Sequence, residues 1–355
     1  MPKVLIAGPQ SFGTAQSLAR AFQSLGWGSP TVTWNAVSQQ PFVRRLRIRL
    51  KLGLDSRLAQ QREFNRVMRG QFVPYARRED PDLLLFVKPN WLDSDIISAL
   101  SRFSAPIVTW ATESLDRFAG QISPLHRSKA TYLMDGGDVS EERGHWLPLG
   151  FDDETFHPAD APKLWDVLFV GNMVRTLYSK RYAFFKLLDN SGLHRNYRMG
   201  FIGETPFGFY NRFRWYPGRI RWVSPRLPMK EFARAIASSR VVVNIHQNDG
   251  RMPVNPMFFG IPGCRVCQVA EDCEYLGRWL KPGHEYVAVN SANFVGVLTE
   301  LLRNNSEIER ISAAGFAASA KHTYVARVRQ ILTECGFFEH GGPRREESAW
   351  VSGTH

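Results

Sequence analysis

Residues 147–158 read Leu-Pro-Leu-Gly-Phe-Asp-Asp-Glu-Thr-Phe-His-Pro, and this stretch decides the fold because it separates two series of short apolar segments. Turn-forming and acidic residues at this density are typical of a linker between domains. Residues 166–171, Asp-Val-Leu-Phe-Val-Gly, then open the second series with a strand that ends in glycine. The sequence therefore predicts one domain over residues 1–155, a second over residues 156–338 and a disordered tail over residues 339–355, which lack periodicity.

Each series alternates predicted strands with predicted helices. The first has strands at residues 3–8, 82–87, 107–110 and 130–134 and a helix at 14–25. The second has strands at residues 166–171, 197–203, 240–245 and 263–269 and helices at 176–189, 229–238, 292–303 and 306–319. Short buried strands between helical segments are typical of a parallel sheet with crossover helices. We therefore expect an α/β protein with two Rossmann-like domains facing a cleft, and ligands at the carboxyl ends of the strands.

The composition is that of a globular protein, with 44% hydrophobic and 22% charged residues. No run of 18 apolar residues is present, and the apolar run in residues 1–8 is too short for a signal-peptide core. Four cysteines in 355 residues favour a reducing compartment. We therefore expect a cytoplasmic protein, with attachment to a membrane surface left open.

Three of the cysteines, Cys264, Cys267 and Cys273, have a spacing that resembles part of a metal site. A structural zinc site needs a second pair of cysteines or histidines, and the sequence offers none at suitable spacing. The first two lie in an apolar run that is typical of a buried strand. We therefore expect buried thiols, no metal and no cofactor.

A basic segment spans residues 44–69, where nine arginines and lysines are opposed only by Asp55 and Glu63. The whole chain has a formal charge of +12 at pH 7, which predicts an anionic partner. A basic stretch with interleaved apolar residues can lie on an anionic membrane surface or follow a nucleic-acid backbone. It can also be no more than the solvated face of a helix.

Several familiar catalytic motifs are absent. The glycines of residues 8–13 lack the GxGxxG spacing of a dinucleotide site, and the chain contains no GKS/T, HExxH or GxSxG motif. The sequence therefore gives no support to an ATPase, a zinc protease or an α/β-hydrolase.

The linker, with the strand that ends Phe169-Val170-Gly171, resembles the hinge of GT-B glycosyltransferases. Within that class the chain is most similar to the CgeB-like group, named after a spore-maturation protein. Further matching pieces are residues 81–85, 108–110 and 322–324 with Arg327. The resemblance implies that the second domain holds a nucleotide-sugar donor and the first holds the acceptor. It implies transfer of a sugar, hexose or pentose, to an acceptor hydroxyl without a metal ion.

The loop at Gly171, Asn172 and Arg175 follows a strand and precedes a predicted helix. Backbone N–H groups at such a turn favour phosphate oxygens. Arg175, with Lys180 and Arg181 beyond it, can provide the positive charge that a departing diphosphate needs. The alternative is that Gly171 only ends a strand and the cations lie on a solvated helix face.

A second candidate follows the apolar strand at residues 241–243. His246 should lie at the carboxyl end of that strand, where it can donate to a phosphate or a sugar hydroxyl, and Arg251 follows in the same loop. We predict a catalytic role for His246 and a donor-binding role for Arg251. The alternative is a loop histidine with ordinary partners.

The segment at residues 254–263 departs from the families it resembles. Those families usually carry an arginine and a Phe-Glu pair here, and the glutamate grips the ribose of the nucleotide. Asn255 matches and is predicted to bind the donor, but Met257 and Gly260 stand where the arginine and the glutamate are expected. An unusual donor or a weakened activity becomes a reasonable expectation, unless Arg251 or the acidic residues near Glu271 replace the contact.

Glu113 follows the strand at residues 107–110 and is the candidate general base. At the cleft its carboxylate can accept the proton of the acceptor hydroxyl, and Asp116 is an alternative. Glu113 can equally complement the dipole of a helix that begins nearby. The sequence thus supports a glycosyltransferase first, and a non-catalytic protein of the same fold that binds nucleic acid or a membrane surface second.

Overall fold

The computed structural model describes residues 1–10, 13–34, 56–88, 94–115, 128–140, 144–175, 177–207, 216–246 and 252–338. Four predictions fall outside these residues. They concern Arg251, Asp116, the first part of the basic segment at 44–55, and the tail at 339–355.

The first half of the chain forms a six-stranded sheet in the order β2-β1-β3-β4-β5-β6, with every pair of neighbours parallel. Its strands are β1 Val4–Pro9, β2 Thr31–Trp34, β3 Leu83–Val87, β4 Ile107–Ala111, β5 Ala130–Leu133 and β6 His145–Trp146. Its helices are α1 Thr14–Ser24, α2 Ser56–Val67, a π-helix at Met68–Phe72, α3 Val73–Glu79 and α4 Ser94–Leu100. A 3₁₀ turn at Gly136–Asp138 follows β5.

The second half repeats this arrangement in the order β12-β11-β10-β7-β8-β9, again entirely parallel. Its strands are β7 Trp165–Val170, β8 Met199–Ile202, β9 Arg221–Ser224, β10 Ser239–Asn244, β11 Cys267–Glu271 and β12 Val287–Val289. Its helices are α5 Ser179–Asn190, α6 Met229–Ala237, α7 Met257–Gly263, α8 Glu274–Gly277, α9 Phe294–Arg303 and α10 Asn305–Ser319. A last helix, α11 Tyr324–Glu334, ends the described chain after a 3₁₀ turn at Ala320–His322.

The prediction of two parallel Rossmann-like sheets is confirmed. The central strands are buried on both faces, as in β1, where Val4 to Ala7 are fully buried. Such continuous burial is what crossover helices on both faces of a parallel sheet produce. The strand order reverses direction between β7 and β10, so the carboxyl ends of these two strands flank a topological switch point, where ligands of such sheets bind.

Two details of the sequence prediction are corrected. The strand predicted at residues 263–269 begins only at Cys267, because helix α7 continues through Gly263 and buries Phe258 and Phe259 against the second sheet. The predicted helix at 176–189 begins at Ser179. The chain therefore needs an eight-residue connection, 171–178, between β7 and the helix.

Helix α11 returns to the first half of the molecule. It lies within the range predicted for the second domain, yet Val328, Ile331 and Leu332 pack in the core of the first sheet with Leu18 and Phe22 of α1. Two polar contacts reinforce this position. The hydroxyl of Tyr132 donates to Glu334 at 2.5 Å, and the ammonium of Lys129 donates to the carbonyl of Cys335 at 3.0 Å.

A buried arginine joins this helix to the linker. Arg327 is 5% exposed, and its Nε donates to the carbonyl of Pro148 at 3.0 Å while Nη2 donates to Nδ1 of His322 at 3.0 Å. Its guanidinium also lies over the rings of Phe259 and Trp279 in the second half. Burial lowers the pKa of Arg327 to about 10, so the side chain is still a cation at neutral pH.

The protonation of His322 follows from these contacts. Burial and the positive charge of Arg327 lower the pKa of His322 to about 3, which makes the ring neutral at neutral pH. Because Nδ1 accepts from Arg327, the proton resides on Nε2, which donates to the carbonyl of Trp279 at 3.2 Å. The linker is close to this turn as well, since a Cβ on Gly150 would lie 2.7 Å from the carbonyl oxygen of His322.

We expect Arg327→Ala to lower the free energy of unfolding by about 3 kcal/mol, because it leaves two buried acceptors without a donor. Chemical denaturation followed by circular dichroism measures this. The matched control is Arg329→Ala on the exposed side of the same helix, which should change stability by less than about 0.5 kcal/mol. Equal stability of the two variants would show that the buried guanidinium does not hold the halves together.

Candidate functional site

The candidate site lies at the carboxyl ends of β7, β10 and β11, which are neighbours in the second sheet. Gly171 follows β7, His246 follows β10 by one residue, and Glu271 is the last residue of β11. Since parallel strands end at the same edge, this topology brings together residues up to 100 positions apart.

The loop after β7 is held against the loop after β8. The backbone N–H groups of Gly171, Met173 and Arg175 donate to carbonyls of residues 202, 204 and 206 at 2.9, 2.9 and 3.3 Å. The side chain of Asn172 accepts from the N–H of Glu204 at 3.0 Å. These groups are already engaged, so the loop offers a phosphate fewer free N–H groups than the sequence suggests. The donor-binding roles of Gly171 and Asn172 stay predictions.

Glycine is required where the two loops touch. Gly203 has φ +148°, and a Cβ on it would lie 2.0 Å from the carbonyl oxygen of Gly171. Gly171 has φ +129°, and a Cβ there would lie 2.9 Å from the side chain of Arg181. Both positions therefore combine a backbone conformation that favours glycine with a close approach.

The first turn of helix α5 contains two cations, Lys180 and Arg181, and no acidic residue. Arg181 is used inside the protein, where Nε donates to the carbonyl of Ile245 at 2.7 Å and Nη1 donates to that of Asn172 at 3.0 Å. Burial lowers the pKa of Arg181. Arg181 thus ties the β7 loop to the end of β10. Arg175, by contrast, is exposed in the connection before the helix.

The second cation, Lys180, belongs to a network with His246 and Glu271. Its Nζ lies 3.4 Å from Oε1 of Glu271, and Nδ1 of His246 lies 3.1 Å from Oε2. The backbone N–H of His246 donates to the same carboxylate at 2.9 and 3.0 Å. Burial alone would raise the pKa of Glu271, but the contacts with His246 and Lys180 outweigh it, and the pKa lies below its usual value.

His246 is therefore at the strand end where the sequence places it, and it is 1% exposed. Its Nε2 has no hydrogen-bond partner among the described residues. Sequence reasoning named Glu271 only as a replacement for the missing ribose contact. In the structure this carboxylate instead contacts His246. Asp272 and Glu274, which follow it, are exposed.

Asn255 holds the start of helix α7. Its amide and that of Asn244 exchange hydrogen bonds of 3.3 and 3.1 Å, and its Oδ1 also accepts from the N–H of Phe258 at 3.2 Å. Its donor-binding role remains a prediction. Gly260 is buried, and a Cβ there would lie 3.4 Å from Met257 and 3.5 Å from the ring of Phe156 in the linker.

On the first sheet, Glu113 is paired with Lys88. The ammonium of Lys88 donates to Oε1 of Glu113 at 2.6 Å, and both side chains are about one quarter exposed. Lys88 directly follows β3 and has φ +56°, an uncommon conformation for a residue with a side chain. Sequence reasoning missed Lys88, although a cation immediately after a buried strand was the available signal. The role of Glu113 as a base stays a prediction.

The two halves meet next to the second-sheet site. Asp135, after β5, accepts from the N–H of Met252 at 2.9 Å through Oδ1, and the N–H of Gly136 donates to the carbonyl of Met252 at 3.2 Å. Asp135 is 1% exposed, and its Oδ2 has no partner among the described residues. Sequence reasoning did not identify this contact.

Cys264 and Cys267 are buried, as the sequence predicts, and burial raises the pKa of both thiols to about 12. Within the described ranges no three His, Cys, Asp or Glu side chains are grouped so that they could hold a metal ion. None of the helices in the part that the structure describes is long and apolar enough to cross a membrane.

Known proteins resemble this chain at the level of fold. A family model described as glycosyl transferase-like matches residues 181–333, less than half of the chain. Comparison with curated protein sequences gives no significant match. A sucrose-phosphate synthase from Thermosynechococcus elongatus superimposes with a TM-score of 0.62 at 12% identity, covering 93% of this chain and 98% of that one.

Two further solved structures are similar to this chain over most of its length. HepE of Anabaena, in complex with UDP and glucose, has a TM-score of 0.62 at 11% identity, covering 94% of this chain and 99% of its own. A glycosyltransferase from Rickettsia africae has a TM-score of 0.58 at 9% identity, covering 94% and 98%. The chain has the GT-B fold. The narrower resemblance to the CgeB-like group stays a prediction.

We expect Gly203→Ala to lower the free energy of unfolding by at least about 3 kcal/mol, because the new methyl group meets backbone and the conformation disfavours alanine. The control is Gly296→Ala in helix α9, where a Cβ meets nothing within 4 Å. It should stabilise the protein by about 0.5–1 kcal/mol. Thermal unfolding compares the two, and a stable Gly203→Ala variant would contradict the described contact between the β7 and β8 loops.

Proposed function

We propose that this protein transfers a sugar from a nucleotide-sugar donor to an acceptor hydroxyl, without a metal ion. The observation that carries the proposal is the group of cationic and imidazole side chains at the ends of β7, β10 and β11. There Lys180 and His246 both contact the buried carboxylate of Glu271, and Arg175 is exposed on the adjacent loop. The glycosyl transferase-like family model matches residues 181–333 and therefore begins at Arg181, next to Lys180.

The chemistry supports this assignment. When a nucleoside diphosphate leaves the sugar, negative charge develops on its phosphate oxygens, and fixed cations near those oxygens lower the barrier. Arg181 is less suited to this, because it donates to two backbone carbonyls. Among the described residues, the side chains of Lys180 and Arg175 have no such contact with a carbonyl. UDP and UDP-glucose are bound by HepE, which shares the fold, and a uridine nucleotide is therefore the first donor to try.

The first sheet would hold the acceptor. Glu113 would take the proton of the attacking hydroxyl, provided that the acceptor or a movement of Lys88 frees its carboxylate from the 2.6 Å ion pair. The glutamate that would bind the ribose of the donor is missing. Gly260 stands at its position and has no carboxylate, so another group must bind the ribose hydroxyls.

We expect Arg175→Ala to slow hydrolysis of the donor by about a hundredfold, the usual effect of removing one group that stabilises the leaving charge. UDP-, GDP-, dTDP- and CDP-sugars are first screened for thermal stabilisation, and hydrolysis of the best one is then measured. The control is Arg195→Ala, an exposed arginine beyond the far end of α5. Near-normal hydrolysis by Arg175→Ala would place the phosphate site elsewhere.

A second candidate function is binding to nucleic acid or to an anionic membrane surface without catalysis. It is favoured by Arg62, Arg66 and Arg69, which are exposed at helical spacing along α2 and the π-helix and line a surface depression with Asn65 and Gly70. Residues three and four apart share a helix face. In the enzyme, the same face would serve an anionic acceptor such as nucleic acid or a membrane-linked glycan.

We expect the triple variant Arg62→Gln, Arg66→Gln, Arg69→Gln to bind anionic vesicles or DNA roughly a hundredfold more weakly than the parent chain at low salt. The control removes the same charge elsewhere, through Arg303→Gln, Lys321→Gln and Arg329→Gln, which are exposed in the second half and on α11. Equal loss in both triples would mean that net charge alone drives binding. Binding without stabilisation by any nucleotide would favour the second candidate.

A further inference from the structure

We propose that Glu271 is a positioning residue that makes Nε2 of His246 a hydrogen-bond acceptor for a hydroxyl group of the nucleotide sugar. The inference rests on the proposed function for the identity of the ligand, but not for the state of the histidine. It differs from the sequence expectation, in which His246 donates to a phosphate or a sugar hydroxyl.

The first step is the geometry around the carboxylate. Glu271 is 2% exposed, and both of its oxygens face the segment that follows β10, where they accept from the backbone N–H of His246. Its Oε2 also lies 3.1 Å from Nδ1 of His246. Lys180 approaches Oε1 from helix α5 at 3.4 Å. Three groups from two parts of the chain thus hold the carboxylate on one side of the imidazole ring.

The second step is the position of the proton. An ionised carboxylate can only accept hydrogen bonds, so Nδ1 of His246 must carry a hydrogen to make the contact at 3.1 Å. In a neutral imidazole the other nitrogen, Nε2, is then an acceptor. Glu271 thereby decides which tautomer of His246 the site presents.

The third step is the empty acceptor. Nε2 of His246 is buried and has no hydrogen-bond partner among the described residues. A buried acceptor without a donor is costly, by about 1–3 kcal/mol. A purely structural histidine would be expected to use both nitrogens, as His322 does with Arg327 and the carbonyl of Trp279.

The fourth step is the chemistry of the missing partner. An acceptor needs a donor, and a phosphate oxygen has no hydrogen to give at neutral pH, whereas a hydroxyl does. A nucleotide sugar has hydroxyls on its ribose and on its sugar. The positive charge of Lys180 on the other side of Glu271 suits the diphosphate that links them.

The state of His246 is tested by long-range proton–nitrogen correlation spectra of the full-length chain at about pH 8, where ordinary imidazoles are neutral. We expect His246 to carry its hydrogen on Nδ1, and His322 to carry it on Nε2 as an internal reference. The signals are assigned with His246→Asn and His322→Asn. A hydrogen on Nε2 of His246, or a spectrum unchanged in Glu271→Met, which removes the acceptor oxygens at similar side-chain length, would overturn the proposal.

Ligand binding is tested with UDP, UDP-glucose, GDP and GDP-mannose by calorimetry. His246→Asn places an amide where Nδ1 was and so retains a donor to Glu271, but it lacks Nε2. We expect it to bind the preferred ligand about tenfold more weakly. Equal loss for the diphosphate and the nucleotide sugar assigns the contact to a ribose hydroxyl, and loss for the nucleotide sugar alone assigns it to the sugar. No loss for any ligand would overturn the proposal.

Glu271→Met, which has no carboxylate or amide oxygen, separates positioning from the other roles of this side chain. We expect a changed tautomer ratio at His246 and a loss of affinity similar to that of His246→Asn. If Glu271 were only a negative charge near the diphosphate, its removal would tighten binding. If it were only structural, stability would fall while the tautomer and the affinity stayed the same. Either result would overturn the proposal.

The matched control is His157→Asn, an exposed histidine in the linker, which should leave both the affinity and the spectrum of His246 unchanged. Failure of the proposed function has a different signature. A wild-type chain that binds none of the four ligands would overturn both the nucleotide-sugar function and the hydroxyl contact, whereas the spectra would still report whether Glu271 holds Nδ1.

Discussion

The guanidinium of Arg327 lies where three parts of the chain meet, and the arrangement of the two halves depends on it. It donates to the linker at Pro148 and to the turn at His322, and it covers Phe259 and Trp279 of the second half. A buried cation must be satisfied by polar partners in fixed positions. These contacts connect the linker, helix α7 and the returning helix α11, and through them the first sheet and the second sheet, which carries the candidate site.

Within the second sheet, the site depends on pairing between neighbouring strands. The register of β7 with β10 and of β10 with β11 places the residues that follow these strands side by side. Arg181 then ties the first loop to the second strand, and Glu271 ties the third strand to His246. The cations at this edge are thus divided between two tasks. Arg181 supports the backbone, while Lys180 and Arg175 are placed for a ligand in the function that we propose.

Gly260, which stands where the resembling families carry a glutamate, fits its surroundings in the structure. The position is buried beside Met257 and the ring of Phe156, which belongs to the linker. A glutamate there would bring a carboxylate into an apolar contact between α7 and the linker, at the cost of burying a charge. The absent glutamate and the packing of the linker are therefore consistent with each other, and in the function that we propose the ribose is bound by other groups.

Much of the architecture was predictable from the chain, because short apolar runs that end in glycine, such as residues 166–171, are typical of parallel strands buried on both faces. The same pattern placed His246 at a strand end. The short strands β2, β6, β9 and β12 at or near the sheet edges were not predicted, since few residues and partial exposure leave a weak pattern.

What only the tertiary structure decided is which groups are partners. Glu271 lies 25 residues from His246 and 91 from Lys180, and Lys88 lies 25 from Glu113. Helix α11 carries an ordinary amphipathic pattern that does not reveal which of two cores it joins. Asn172 and Asn255 have the residue types of ligand-binding positions, yet their amides hold loops together. Local sequence determines strands and helices because they depend on near neighbours. Partnerships across strands depend on topology, which becomes fixed only when the whole chain packs.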